Sequence, residues 1–191
     1  MSPYKSRQEI RGYFLRLSAL MLFCTILLMS VGGCKKKDQK GQYFTRDSWV
    51  TDYANVLLQE DKSRLSASLE AYEKETCHQV LVLIVPSLEG ESVTAFSQRI
   101  ATAWDIGHPG FGNGILLTIA MEEGSIRLET ASAFDWFIEQ GITDRILKEV
   151  MVPFFKEKRF TEGIEQGLAE IMGAARMKVI PDNHRPAVCR Q

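Results

Sequence analysis

Oxygen-bearing side chains dominate the chemistry this sequence offers. Asp52, Asp105, Glu129, Asp135 and Asp144 all fall at the ends of expected helices and strands or in the loops between them. In open α/β sheets such ends gather at one edge, where ligands bind. Carboxylates collected there suit a hard cation such as calcium or magnesium, which takes oxygen ligands. Each also has an ordinary structural use; Asp144, one residue inside a helix start, complements the helix dipole without any ligand. Other signatures are missing: there is no G-x-x-x-x-G-K-[ST], no H-E-x-x-H and no G-x-S-x-G. Cys77-His78 lacks the arginine of a cysteine phosphatase loop, and His78, His108 and His184 are too scattered for a structural zinc site. His78, at a strand start, reads as a surface residue.

The elements that must position these groups are legible from periodicity. Residues 60–76 place Leu65, Leu69 and Tyr72 on one helical stripe. Val80 to Val85 is apolar on both faces, as a central strand of a covered sheet requires. Ser92 is placed to cap a helix carrying Val93, Phe96, Ile100 and Trp104. The glycines between Ile106 and Asn113 make a loop. A second buried strand, 114–120, turns through Glu122-Glu123-Gly124-Ser125 into an alternating strand, 126–130. Thr143 caps a helix that Pro153 interrupts, and Thr161 starts the last helix. This order predicts an α/β fold: a three-layer sandwich with a small mixed sheet of about four strands.

The chain has 191 residues, enough for one domain once a leader is removed. Lys5, Arg7, Arg11 and Arg16 precede an apolar run from Leu17 to Ser30, and Val31-Gly32-Gly33-Cys34 follows. Small residues before a cysteine resemble the lipobox of bacterial lipoproteins, in which the thiol receives diacylglycerol before cleavage. The expected layout is a signal peptide over 1–33, a lipidated Cys34 with a flexible basic tether to 47, a domain over 48–176 and an unstructured tail over 177–191. The anchored domain would face the periplasm or exterior, with outer-membrane sorting favoured by Lys35. From Ser48 onward 14 Lys and Arg stand against 21 Asp and Glu, a balance of −7. That balance excludes nucleic acid as a partner, since such binding draws on a basic face. Cys77 and Cys189 are the cysteines left after processing. They either pair in an oxidising compartment, or stand as a small buried residue and a tail cysteine.

The residues also resemble a known family, the TPM domain. The resemblance rests on Val50-Thr51-Asp52 with Leu57, on Tyr72-Glu73 before Thr76, on Val85-Pro86-Ser87-Leu88-Glu89-Gly90 and on Trp104-Asp105-Ile106-Gly107. Asn113-Gly114-Ile115-Leu116, Thr143-Asp144 and Pro153-Phe154-Phe155 extend it, so that it spans about Ser48 to Met172. The family includes thylakoid-lumen proteins of photosystem II repair and bacterial membrane-associated proteins. The resemblance implies a four-stranded α/β sandwich with an acidic cleft, whose expected positions are Asp52, Asn113, Glu129, Asp135 and Asp144. It implies divalent-metal binding for some members, acid phosphatase activity for others, and a membrane-protein partner in complex assembly or repair. Where members commonly carry Gly-x-Gly-x-Glu, this chain has Ala131-Ser132-Ala133-Phe134-Asp135. Alanine does not take positive φ cheaply, so that loop is expected to be reshaped. The leading expectation is a lipid-anchored accessory module that binds a divalent cation or a partner, and the alternative is a weak metal-assisted phosphomonoesterase.

Overall fold

The computed structural model describes residues 44–178 together with Ile180, Arg185, Pro186 and Cys189; the expected signal peptide over 1–33 and Cys34 lie outside the described residues. Four strands, β1 (Val50–Asp52), β2 (Gln79–Val85), β3 (Gly114–Ala120) and β4 (Ser125–Thr130), lie side by side in chain order. The first three are parallel and β4 returns antiparallel. Every residue of β2 and β3 is buried, as their two-sided apolar runs require. Alternation then divides them: Val80, Val82 and Ile84 serve one face, Leu81, Leu83 and Val85 the other.

Two helix layers cover those faces. On one, α1 (Gln59–Thr76) contributes Leu65, Leu69 and Tyr72, and the last helix contributes Ile164, Leu168 and Ile171. On the other, α2 (Val93–Ala103) lays down Phe96 and Ile100, with Ser92 Oγ accepting from the Ala95 N–H at 3.2 Å as its cap. The expected three-layer sandwich with a mixed four-stranded sheet is what forms. Truncating a fully buried central residue such as Leu116 to Ala costs about 2–5 kcal/mol in a core of this kind.

The domain begins earlier than Ser48. Phe44 is buried against Phe96 and Tyr53, and its carbonyl accepts from Trp104 Nε1 at 2.8 Å, so this one residue of the expected tether joins the core while Thr45 to Asp47 stay exposed.

The helical stretch after β4 departs most from expectation. A 3-10 turn (Ser132–Phe134) leads through α3 (Asp135–Glu139) and α4 (Ile142–Arg145) into a π-helical segment (Ile146–Met151) and α5 (Val152–Lys156). Thr143 lies inside α4 rather than capping it; Gly141, at φ 66°, makes the turn into that helix. Nor does Pro153 break the chain direction. The Val152 N–H reaches back to Leu147 O, and the proline enters as the second residue of α5, where its missing N–H is not needed. The widened turn pushes Met151 towards α6 (Phe160–Ala175). There Gly167 makes room, because a Cβ would stand 2.5 Å from Met151 Sδ.

Candidate functional site

Two polar constellations lie at the amino-terminal ends of β2 and β3. The first is organised by Asn113, which is fully buried just before β3. Its Oδ1 accepts from the His108 N–H at 2.7 Å, and its Nδ2 donates to the Cys77 carbonyl and lies 3.1 Å from His108 Nδ1. Both ends of the amide are thus consumed in fixing the 106–113 loop, so the resemblance-derived cleft role gives way to a structural one. Gly114 tightens the same junction: a Cβ there would sit 2.5 Å from the Ile106 carbonyl carbon. Beside it, Cys77 and Cys189 form a disulfide, joining the tail to the end of α1 across 112 residues. The tail expected to be unstructured is therefore tied down at Cys189.

The second constellation is a cleft of about 480 Å³ between the end of α2 and the edge strand β4. Gln98, Thr102 and Asp105 line one wall, Glu129, Thr130 and Ala131 the other. Asp105 follows α2 with φ 48°. An acid beyond a helix C-terminus faces the negative end of the dipole, and a non-glycine at positive φ adds strain. Both features cost stability, and the electrostatic one is of the kind a cation offsets. Among the described residues its carboxylate has no hydrogen-bond or ion-pair partner. Glu129 is held instead: its Oε2 accepts from Arg127 Nε and Nη2 at 3.1 and 3.0 Å.

The five positions implied by resemblance do not converge. Asp52 ends β1 in the row of Ile84, Ile119 and Ile126, whereas Glu129 stands in the row of Leu81 and Leu116. Three rows along the strands at ~3.3 Å and three strand spacings of ~4.8 Å separate them. Both Asp52 oxygens are engaged locally, Oδ1 by the Ala54 N–H at 3.0 Å and Oδ2 by the Leu57 N–H at 2.9 Å. Asp135 is the exposed first residue of α3. Asp144 is exposed on α4 and pairs with Lys148 at 2.8 Å. The loop from Ala131 to Asp135 is built without any positive φ, as a 3-10 turn whose Ala133 N–H bonds Gly112 O at 2.9 Å.

His78 corrects another expectation, for it is 1% exposed. Its ring stands edge-on to Phe134 at 5.0 Å, with Nδ1 3.5 Å from Tyr72 Oη. Burial pulls its pKa down to about 4, with the Lys178 carbonyl opposing and Arg185 and Arg176 assisting. Burial likewise pushes the Tyr72 phenol up to about 12.

A three-layer α/β domain with an acidic cleft on its edge strand is the class this geometry defines. The family model for the TPM domain matches residues 50–174, and the chain belongs to that family. Solved structures agree on the fold. The N-terminal domain of a P. gingivalis protein is 22% identical with a TM-score of 0.63, over 72% of this chain and 86% of that one. The BA42 protein of the psychrophilic bacterium Bizionia argentinensis is 14% identical with a TM-score of 0.59, over 70% and 91%. The N-terminal domain of the cg2496 protein of Corynebacterium glutamicum is 14% identical at 0.53, over 71% and 84%. No curated protein matches the chain. Among the described residues no helix is long and apolar enough to cross a membrane.

Proposed function

We propose that this is a lipid-anchored envelope protein whose TPM domain binds a divalent cation, calcium or magnesium, as an accessory module in the assembly or repair of membrane complexes. One observation carries the cation reading: Asp105, an unpaired carboxylate at the end of α2, faces Glu129 across a cleft lined with side-chain oxygens. Hard cations take oxygen ligands of this kind. The membrane reading rests on the Val31-Gly32-Gly33-Cys34 stretch, which would place the lipid on Cys34. The partner would be a membrane protein held close by that anchor.

A phosphomonoesterase needs positive charge against its substrate, and no Lys, Arg or His lines the cleft. Arg127, nearest in sequence, is already engaged by Glu129. Binding without turnover is therefore the reading carried forward.

Thermal melting with calcium and with magnesium tests it. A ligand bound only to the folded state stabilises by about 2.7 kcal/mol at a hundredfold excess over Kd. The melting temperature should rise in the wild type and stay flat in Asp105→Asn and Glu129→Gln, with no hydrolysis of a generic phosphomonoester. A rise of equal size in both variants removes the cleft from consideration. For the anchor, Cys34→Ser should leave the uncut precursor; an unchanged mature mass and membrane fraction would refute it.

A further inference from the structure

Beside the Cys77–Cys189 bond stand two groups that a structural disulfide does not require. His108 Nε2 lies 3.7 Å from Cys189 Sγ, and Glu73 Oε1 lies 3.3 Å from the same nitrogen. Cys77 is fully buried and Cys189 5% exposed, while the side chains of His108 and Glu73 are 10% and 14% exposed. The two Sγ atoms and a ring nitrogen all lie within 4.8 Å of one another. The geometry points to a second site, distinct from the acidic cleft: once the disulfide is reduced, Cys77, Cys189 and His108 bind zinc(II), with Glu73, beside the His108 ring, placed to turn onto the fourth position, and the disulfide is the closed form of that site.

The spacings fit the ion. Tetrahedral zinc, with bonds of ~2.3 Å to sulfur and ~2.0–2.1 Å to nitrogen or oxygen, sets its ligands about 3.6 Å apart for S···N and about 3.3 Å for N···O. The observed 3.7 and 3.3 Å match those edges. Glu73 is already aimed: Trp49 Nε1 donates to its Oε2 at 2.6 Å and Gln79 Nε2 to its Oε1 at 3.1 Å. Such outer hydrogen bonds fix ligand orientation in metal sites. Soft thiolates select zinc over calcium or magnesium, so the two sites do not compete for one ion.

The chemistry closes in two steps. A dithiol reductant passes two electrons to the Cys77–Cys189 bond, giving two protein thiols and leaving as its own cyclic disulfide. Zinc(II) then displaces one proton from each thiol and binds both thiolates, so that two protons are released. The sulfurs of the disulfide carry no thiolate charge, and the oxidised chain does not take the ion. The imidazole adds a cost. Asn113 Nδ2 donates to the Cys77 carbonyl and faces His108 Nδ1, which holds the ring proton on Nε2. Binding through Nε2 moves that proton to Nδ1 and breaks the contact with Asn113.

Cobalt(II) is the probe, because its tetrahedral thiolate complexes absorb in the visible and near ultraviolet. The processed protein, reduced with dithiothreitol and freed of it under argon, should develop those bands at one equivalent. The oxidised chain should show none. Cys189→Ser should lose them, since Cys77 and Cys189 carry the thiols that remain once the leader with Cys24 is removed and Cys34 is acylated. His108→Gln should weaken binding at least about tenfold. Zinc should bleach the bands, whereas calcium should not. Equal bands in Cys189→Ser would overturn the assignment, as would their absence from the reduced wild type. So would an unchanged affinity in His108→Gln, or loss of native far-ultraviolet dichroism on reduction alone.

Discussion

Acidification tests the burial of His78. Its pKa is about 4 in the folded domain against 6.5 for the free side chain, because burial disfavours the imidazolium. Between those values the unfolded chain binds the proton and the folded one does not. Stability therefore falls as pH drops through that window and levels off below it. Each pKa unit corresponds to about 1.4 kcal/mol, so the full loss is on the order of 3 kcal/mol, of which about 2 kcal/mol is reached by pH 5. Urea unfolding at pH 7 and pH 5 measures this directly. His78→Gln removes the titration while keeping a neutral polar side chain, so its stability should fall ~2 kcal/mol less than the wild type's over the same interval. The groups around the ring, Tyr72, Arg176 and Arg185, are retained and cancel in the comparison. Equal pH slopes for the two proteins would refute the reasoning, as would a His78 ring resonance titrating near 6.5 in the native state.

Three further outcomes follow from particular contacts. Gly114→Ala forces a Cβ against the Ile106 and Gly107 backbone, which cannot yield as a flexible side chain does; urea unfolding should show a loss of about 1–3 kcal/mol, and cation-dependent stabilisation should weaken because the 106–113 loop borders the cleft. Asp105→Asn should make the cation-free domain more stable by about 0.3–1 kcal/mol, since it removes a charge from the negative end of α2; a destabilised variant would show that Asp105 supports the fold instead. Cys189→Ser opens a loop of 112 residues, and under oxidising conditions the unfolding free energy should drop by about 2–4 kcal/mol. An unchanged urea midpoint would mean that the crosslink contributes nothing to the domain.

The layers of this fold were readable because β2 and β3 carry apolar residues on both faces, a pattern that only a sheet covered twice can use. The stripes of α1 and α2 and the Ser92 cap were equally local, and local signals survive folding. What was not readable is what depends on distant packing. The 3.6-residue period gives no warning of the π turn before Pro153, which carries Met151 into the space that Gly167 leaves. His78 looked exposed because its sequence neighbours say nothing of Phe134, Tyr72 and Lys178, which stand against its ring.

The candidate site failed to converge for a topological reason. Asp52 and Glu129 both lie towards the carboxyl ends of their strands, and in an all-parallel sheet they would share an edge. β4 runs the other way, so its carboxyl end lies beside the amino end of β3, and Glu129 is carried to the far side of the sheet from Asp52. The same reversal brings Glu129 opposite Asp105, whose helix ends at the point where the chain turns back to enter β3. Strand direction, which no single residue type encodes, decides which carboxylates meet. It also brings the hard-oxygen cleft and the cysteine pair to one end of the sheet, with the 106–113 loop between them: Ile106 lines the cleft, and Asn113 holds the Cys77 carbonyl. The glycines of that loop at 107, 110 and 112 all hold positive φ, so its path between the two constellations depends on residues without a Cβ.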